Sequence, residues 1–442
     1  MHCIVCTAAV LFSNCLNAAA ESPTIVTGDV GRQLDACCEQ RPRNDFSGTV
    51  LISQAGKIVL QKGYGLANRE QKIPNGPDTL FEIASLAKQF TAAAVLALED
   101  DGQLSTDDPI AAHLPEVPDA YKGVTIYHLL THTAGLPRGG GGRGLDVAAV
   151  VRGYLSQAPQ FVPGKKYAYA NGGYALLAAI VESASGQTLE AYCRTRLFSR
   201  ADLAHTGFCG EEFNLQQVAL GYTDGRSAGR PPHRDPYPPY DEFGYEYRGM
   251  GGVVTSATDL YRWVGALRDG RVLSAAARRK LFQPFRNNYA CGWEVFTFDE
   301  GQRCIGHGGT VRGFVSKLWM FPDDDMVMIV LSNDQRFDYT MLSDLKHTLF
   351  QEPRAPQADP RDFTAPPPAR SVDEQLLRSL AGNYVYDRSS ALQLNLQARA
   401  NGLQARLSGI TGGEISEQFR DEDNLARAIL REFGAGAVDL SV

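Results

Sequence analysis

Ser85-Leu86-Ala87-Lys88 sets a hydroxyl and an amine three residues apart, a pair able to form and break acyl bonds if the amine is neutral. The run that follows, Gln89-Phe90-Thr91-Ala92-Ala93-Ala94-Val95-Leu96-Ala97-Leu98, has no Pro or Gly and is apolar nearly all round. It predicts a buried helix that opens at Ser85 and stops near Asp101-Gly102. A serine in the first turn lies beside unpaired N–H groups and the positive end of the helix dipole, a setting that suits an oxygen bearing negative charge. Lys88, at i+3, falls on the same face. Bringing a lysine from a pKa of ~10.4 to about 7 takes ~4 kcal/mol, which burial can supply. Ser85 is thus a candidate nucleophile and Lys88 its base.

Two other stretches compete. Ser343-Asp344-Leu345-Lys346 repeats the spacing, and Gly225-Arg226-Ser227-Ala228-Gly229 matches the Gly-x-Ser-x-Gly elbow. An elbow needs a strand before it and a helix after it, which Tyr222-Thr223-Asp224 and Arg230-Pro231-Pro232 do not supply. Spacing alone does not choose between the two Ser-x-x-Lys pairs.

The chain that must position these groups has 442 residues, 44% of them hydrophobic, enough for one large domain with an appendage. A net charge of −7 and no run of Lys or Arg argue against a nucleic-acid partner. Residues 3–16 are apolar, too short to span a bilayer, and lead to Ala18-Ala19-Ala20 before Glu21. This pattern predicts a secretory signal over residues 1–20 and a periplasmic or secreted protein. Of nine cysteines, Cys3, Cys6 and Cys15 would leave with the signal, and the even remainder suits an oxidising compartment. A Cys193–Cys209 bridge would close a loop of about 15 residues, worth roughly 3 kcal/mol. No His and Cys spacing resembles a zinc site, and the glycines over 139–142 lack the Gly-Lys-Ser/Thr ending of a phosphate cradle, so neither metal nor cofactor is expected.

In order, the pattern predicts a helix over 29–39 and a hairpin over 48–60 about Ala55-Gly56. After the Ser85 helix come helices over 146–155 and 173–185, the latter ended by Gly186. Tyr169 and Asn171 sit in the turn before it, and turns on a rigid scaffold are where catalytic groups tend to lie. Residues 221–248 read as a long irregular loop whose Tyr237, Tyr240, Phe243, Tyr245 and Tyr247 could line a cleft or pack locally. Ser256-Ala257-Thr258-Asp259 resembles a capping box opening a helix. Strands return over 293–298 and 303–307, with a turn centred on Asp299-Glu300 that would set Cys304 opposite Val295, and over 313–321 and 326–331. The fold class is α+β. Six prolines mark a linker over 351–372, and alternation such as Leu392-Gln393-Leu394-Asn395-Leu396 predicts a small β-rich domain over 373–442.

Taken in order, Ser85-Leu86-Ala87-Lys88, Tyr169-Ala170-Asn171 and His307-Gly308-Gly309 resemble the three motifs of the serine β-lactamase and penicillin-binding protein superfamily. The flanks are similar to its class C β-lactamase-related branch: Gly63-Tyr64-Gly65, Leu129-Leu130-Thr131-His132-Thr133-Ala134-Gly135-Leu136-Pro137, Pro163-Gly164, and Gly251-Gly252 through Asp259. The likeness runs from about residue 30 to 335 and selects Ser85 over Ser343 and Ser227, which stand in the wrong order. It implies an antiparallel sheet flanked by helices plus an all-helical region over residues 21–350, with the site between them.

By the same resemblance Ser85 attacks an acyl carbonyl, Lys88 and Tyr169 share the proton handling, and the oxyanion sits between the backbone N–H groups of Ser85 and Thr310, each donor typically worth ~3 kcal/mol. Asn171 would hold Lys88 and the substrate amide. One departure matters: class C β-lactamases begin the third motif with lysine, and here it is His307, mostly neutral at pH 7. Weak activity on β-lactams is expected, with a peptide ending in a D-amino acid or a small ester as substrate. The alternatives are a β-lactamase proper or a slowly turning-over penicillin-binding sensor.

Overall fold

Near-continuous apolar runs such as Val50-Leu51-Ile52, 318–321 and 326–331 fit strands buried on both faces. The computed structural model describes residues 22–39, 46–137, 146–229 and 247–350 in full, and beyond them the backbone of three strands, Gly382–Val385, Gln393–Arg399 and Gly402–Ser408. Its main sheet has seven strands: β1 (Ile25–Val26), β2 (Gly48–Gln54), β3 (Lys57–Tyr64), β4 (Glu294–Thr297), β5 (Arg303–Val311), β6 (Phe314–Phe321) and β7 (Met326–Ser332). The order is β1-β3-β2-β7-β6-β5-β4, with every neighbouring pair antiparallel. The principal helices are α1 (Gly28–Glu39), α2 (Lys88–Asp100), α3 (Asn171–Ser185), α4 (Ala257–Arg268) and α5 (Thr340–Phe350).

Alternation decides which face sees which helix. Val50, Ile52, Trp319, Phe321, Met328 and Val330 point to one side, where Leu34 and Cys38 of α1 and Leu345 and Leu349 of α5 cover them. Leu51, Ile305, Leu318, Met320, Ile329 and Leu331 point to the other and join the main core with α2, α3 and α4. His307 and Gly309 follow Ile305 at two-residue steps, so the pleat turns them toward this helical side.

α2 is the centre of that core, with every residue from Lys88 to Leu98 buried. It opens at Lys88 rather than at Ser85, because Ala84–Ala87 forms a 3₁₀ turn ahead of it, entered through a left-handed Ala84 (φ 48°). In a 3₁₀ turn side chains at i and i+3 eclipse, and Lys88 is thereby stacked over Ser85. α3 ends where a left-handed Gly186 (φ 68°) caps it. Ser256 caps α4 by accepting from the Asp259 N–H, but the Asp259 carboxylate is engaged by His205 N, Thr206 Oγ1 and Arg262 instead of closing a capping box.

Two expectations about the cysteines are corrected. Cys193 and Cys209 are both free thiols; they face different packing clusters, Cys193 the main core and Cys209 a small group with Leu80, Val218 and Val254. The β4–β5 register puts Phe296, not Val295, opposite Cys304, since the Phe298 N–H closes the turn onto the Gln302 carbonyl and moves its centre by half a residue pair.

Among the described residues no helix is long and apolar enough to cross a membrane. The expected signal over 1–20 and linker over 351–372 lie outside them. Within 373–442 the three described strands pair antiparallel, in chain order.

Candidate active site

Three elements from distant parts of the chain meet at Ser85. β5 arrives edge-on: a Cβ on Gly309 would stand 2.3 Å from the Ile83 carbonyl oxygen and 2.9 Å from the Ser85 nitrogen, so only glycine lets the strand come this close. Ser316, paired with Gly309 across β5 and β6, fixes the approach by donating from Oγ to the Ile83 carbonyl at 2.8 Å. β4 pairs only as far as Gly306, so Gly308, Gly309 and the exposed Thr310 form a bare edge beside the serine.

Lys88 is fully buried, with Nζ 3.1 Å from Ser85 Oγ. Its other hydrogen bond goes to the Met250 carbonyl at 2.8 Å. Burial alone brings its pKa down to about 7, because an ammonium in an apolar helix loses its hydration. Asn171 does not fill the role expected of it toward Lys88. It is the exposed first residue of α3 and makes no hydrogen bond to the amine, and the Met250 carbonyl takes that place.

Tyr169 is the third group at Ser85. Burial pushes its phenol up to about 12, with a hydrogen bond to Ser85 pulling partway back. The Lys88 Nζ lies 5.1 Å from its ring centroid. Behind it stands His132, with ring centroids 4.2 Å apart. The Ala170 N–H donates to His132 Nδ1 at 3.3 Å, and the His132 carbonyl accepts from Ala168 N at 2.9 Å. His132, itself in the left-handed region (φ 55°), thus grips the backbone on both sides of Tyr169.

His307 is buried and electrically silent. Its Nδ1 is 2.6 Å from the Gly308 carbonyl, which can only accept, so the proton is on Nδ1 and Nε2 is left to accept from Tyr289 Oη at 3.2 Å. Burial first, then the Lys88 charge, hold its pKa down to about 3.

The two competing serines are elsewhere. Ser227 lies exposed in a hairpin of Gly221–Thr223 and Arg226–Gly229, its Oγ accepting from Gly229 N. Lys346, partner of Ser343 in spacing, is tied to Glu300 at 2.6 Å. Residues that the motifs did not single out also converge here: Glu82 and Tyr289, with the backbone of Met250. No local spacing announces them, because each acts across a gap in the chain. Of the loop aromatics, Tyr247 reaches the site region through Glu82, and Tyr237, Tyr240, Phe243 and Tyr245 lie outside the described residues.

An antiparallel sheet flanked by helices, with a Ser-x-x-Lys turn at its edge, defines a class, and comparison with known proteins agrees. A Beta-lactamase family model matches residues 34–349, and the chain belongs to that family of serine hydrolases. It is 29% identical over 385 residues to Penicillin-binding protein 4* of Bacillus subtilis, covering 80% of this chain and 83% of that protein. Among solved structures it shares its fold with a β-lactamase/D-alanine carboxypeptidase from Pseudomonas syringae (TM-score 0.64, 20% identity, 74% of this chain and 100% of that one). The D-amino acid amidase from Ochrobactrum anthropi SV3 shares it too (TM-score 0.61, 19% identity, 73% and 98%).

Proposed function

We propose that the protein is an exported serine hydrolase that works through an acyl-enzyme on Ser85 and acts on a peptide ending in a D-amino acid or on a small ester. The observation that carries this is the buried Lys88 amine at 3.1 Å from Ser85 Oγ, with a pKa of about 7. At neutral pH a large fraction of Lys88 is a free base at the distance a proton transfer needs.

Lys88 takes the Ser85 proton as Oγ attacks the carbonyl carbon. The negative charge that develops on the carbonyl oxygen lies toward the N–H groups of Ser85 and Thr310, beside the bare edge of β5. Tyr169, with a pKa of about 12, rests as a phenol; it gives its proton to the leaving group and is reprotonated by the Lys88 ammonium, so the proton taken from Ser85 departs with the leaving group. Water then releases the acyl group with the proton flow reversed. The exposed Asn171 side chain meets the substrate amide. The bare edge of β5 at Gly308, Gly309 and Thr310 gives an extended substrate a strand to lie along.

The neutral His307 supports the small ester, a substrate without a carboxylate at the third motif, and the names of the amidase and carboxypeptidase neighbours support the D-amino acid substrate. The likeness to Penicillin-binding protein 4* supports a second reading, a protein acylated by penicillin that turns over slowly. Intact-mass spectrometry of the protein mixed with benzylpenicillin or p-nitrophenyl acetate over time, with Ser85→Ala as control, tests both. A short-lived adduct from the ester and little from penicillin, each dependent on Ser85, is the expected result; a persistent penicilloyl adduct favours the second reading. No Ser85-dependent adduct with either reagent overturns both.

A further inference from the structure

Residues 247–254 run along the Ser85 motif and are fastened to it repeatedly. Ile83 N donates to the Val253 carbonyl at 3.0 Å, and Val254 pairs with Glu82. Thr91 Oγ1 donates to the Gly249 carbonyl at 2.8 Å, and Lys88 Nζ to the Met250 carbonyl at 2.8 Å. Between these points the chain makes a turn, closed by the Gly251 N–H on the Tyr247 carbonyl at 3.2 Å. The Tyr247 ring lies over the turn, where a Cβ on Gly251 would be 2.9 Å from it. Its phenol donates to Glu82 Oε1, three residues ahead of Ser85.

Glu82 is an odd choice for that place. It is 1% exposed, and Oε2 is buried without a hydrogen-bond partner. Burial lifts its carboxyl to about 7, opposed only by the Tyr247 hydrogen bond. Among the described residues no cation faces it: Val254 on the neighbouring strand is apolar, and the other titratable group in its field is the Cys209 thiol. An unsatisfied buried oxygen is destabilising, and a leucine at the same position would avoid it.

A neutral lysine amine has two N–H donors and one lone pair, and a carbonyl can only accept. With the Met250 oxygen occupying one N–H, rotation about the last bond of Lys88 is restricted and the amine is held 3.1 Å from Ser85 Oγ, where its lone pair can take the hydroxyl proton. We propose that Glu82 and Tyr247 are positioning residues for the Lys88 base: their hydrogen bond holds the 247–251 turn, and the turn presents the Met250 carbonyl that orients the amine. This rests on reading Ser85 as nucleophile and Lys88 as base. Loosening the turn frees the amine to rotate and admits water beside it, which returns the lysine toward its solution pKa.

The test uses the full chain and two readouts. Acylation of Ser85 by p-nitrophenyl acetate is followed by intact mass across pH 5–9, and the Lys88 amine is titrated by ¹³C NMR, which needs no substrate. Tyr247→Phe and Glu82→Leu are expected to slow acylation about tenfold at saturating ester, with the half-saturating concentration unchanged. Both are expected to raise the Lys88 titration midpoint by about one pH unit. Glu82→Gln keeps an acceptor for the phenol and is expected to lose less than about threefold. A folded Tyr247→Phe protein with wild-type acylation and a wild-type Lys88 midpoint overturns the proposal and leaves the Arg248–Glu190 ion pair (3.0 Å) as the anchor of the turn. Should Tyr247→Phe fail to fold, equal losses in Glu82→Gln and Glu82→Leu overturn it. Absence of Ser85-dependent acylation in the wild type removes the nucleophile reading, and the NMR midpoint still decides whether the pair controls Lys88.

Discussion

His307 and Tyr289 are locked in one hydrogen-bonding sense: the imidazole Nε2 accepts the tyrosine hydroxyl at 3.2 Å while Nδ1–H is given to the Gly308 carbonyl. With a pKa held down to about 3, the ring carries no charge anywhere in the working range. Lowering the pH from 7 to 5 is therefore expected to give no gain in acylation by benzylpenicillin. His307→Lys places a cation where the substrate carboxylate of a β-lactam would lie, and one charge-assisted hydrogen bond of ~1.5–3 kcal/mol corresponds to a gain of about tenfold or more. Unchanged penicillin acylation in His307→Lys, measured by intact mass, would remove this residue from the control of carboxylate preference.

With Lys88 as the proposed base, the acid limb of the rate is expected to follow its titration. Its buried amine titrates at about 7, so acylation of Ser85 by an ester is expected to fall tenfold per pH unit once the pH drops well below 7. Tyr169, up at about 12, contributes no limb between pH 5 and 9. Tyr169→Phe should cost about 10²–10⁴-fold in rate without moving the acid limb. A limb that shifts by a full unit in Tyr169→Phe would mean that the two groups titrate as one.

Lys88 also carries a stability cost with a definite sign. The unfolded lysine titrates near 10.5 and the folded one at about 7, so between these values the unfolded chain holds a proton that the folded chain does not. Folding stability is greatest above pH 10.5 on this account and is lost as pH falls toward 7, by about 5 kcal/mol in all. Lys88→Met removes that cost and gives up two hydrogen bonds worth ~1 kcal/mol each. Its net effect at pH 7 is a gain of about 2–3 kcal/mol with acylation abolished, to be read from urea denaturation. A lower denaturation midpoint in Lys88→Met would contradict it.

Gly309→Ala tests the approach of β5. The added methyl would sit 2.3 Å from the Ile83 carbonyl oxygen, a backbone atom held by Ser316. Strand and turn must part, at a cost of about 1–3 kcal/mol in stability, and acylation should fall by about 10²-fold because Ser85 N and Thr310 separate. Wild-type acylation in Gly309→Ala would show that the oxyanion is stabilised elsewhere.

Parts of this architecture were legible because they are local. Ser85 and Lys88 are three residues apart, and any helical turn, α or 3₁₀, sets them together. The Ala55-Gly56 hairpin, the Gly186 helix stop and the two-residue alternation through Ile305, His307 and Gly309 depend likewise on neighbours in the chain. Even there the limits are physical: a one-residue change in the turn after Phe296 moved the partner of Cys304, and cysteine parity said nothing about which clusters Cys193 and Cys209 would join.

What the sequence by itself determined is the order and type of the candidate reacting groups: a serine, a lysine one turn on, a Tyr-x-Asn turn, and a His-Gly-Gly strand. Tertiary structure decided their states. Lys88 titrates near 7 because a whole core closes over it, and a carbonyl 162 residues away accepts its N–H. Asn171 was left exposed, and Glu82 was joined to Tyr247 across 165 residues. Burial sets these pKa values and long-range hydrogen bonds set these orientations, and neither is a property of any window of the chain.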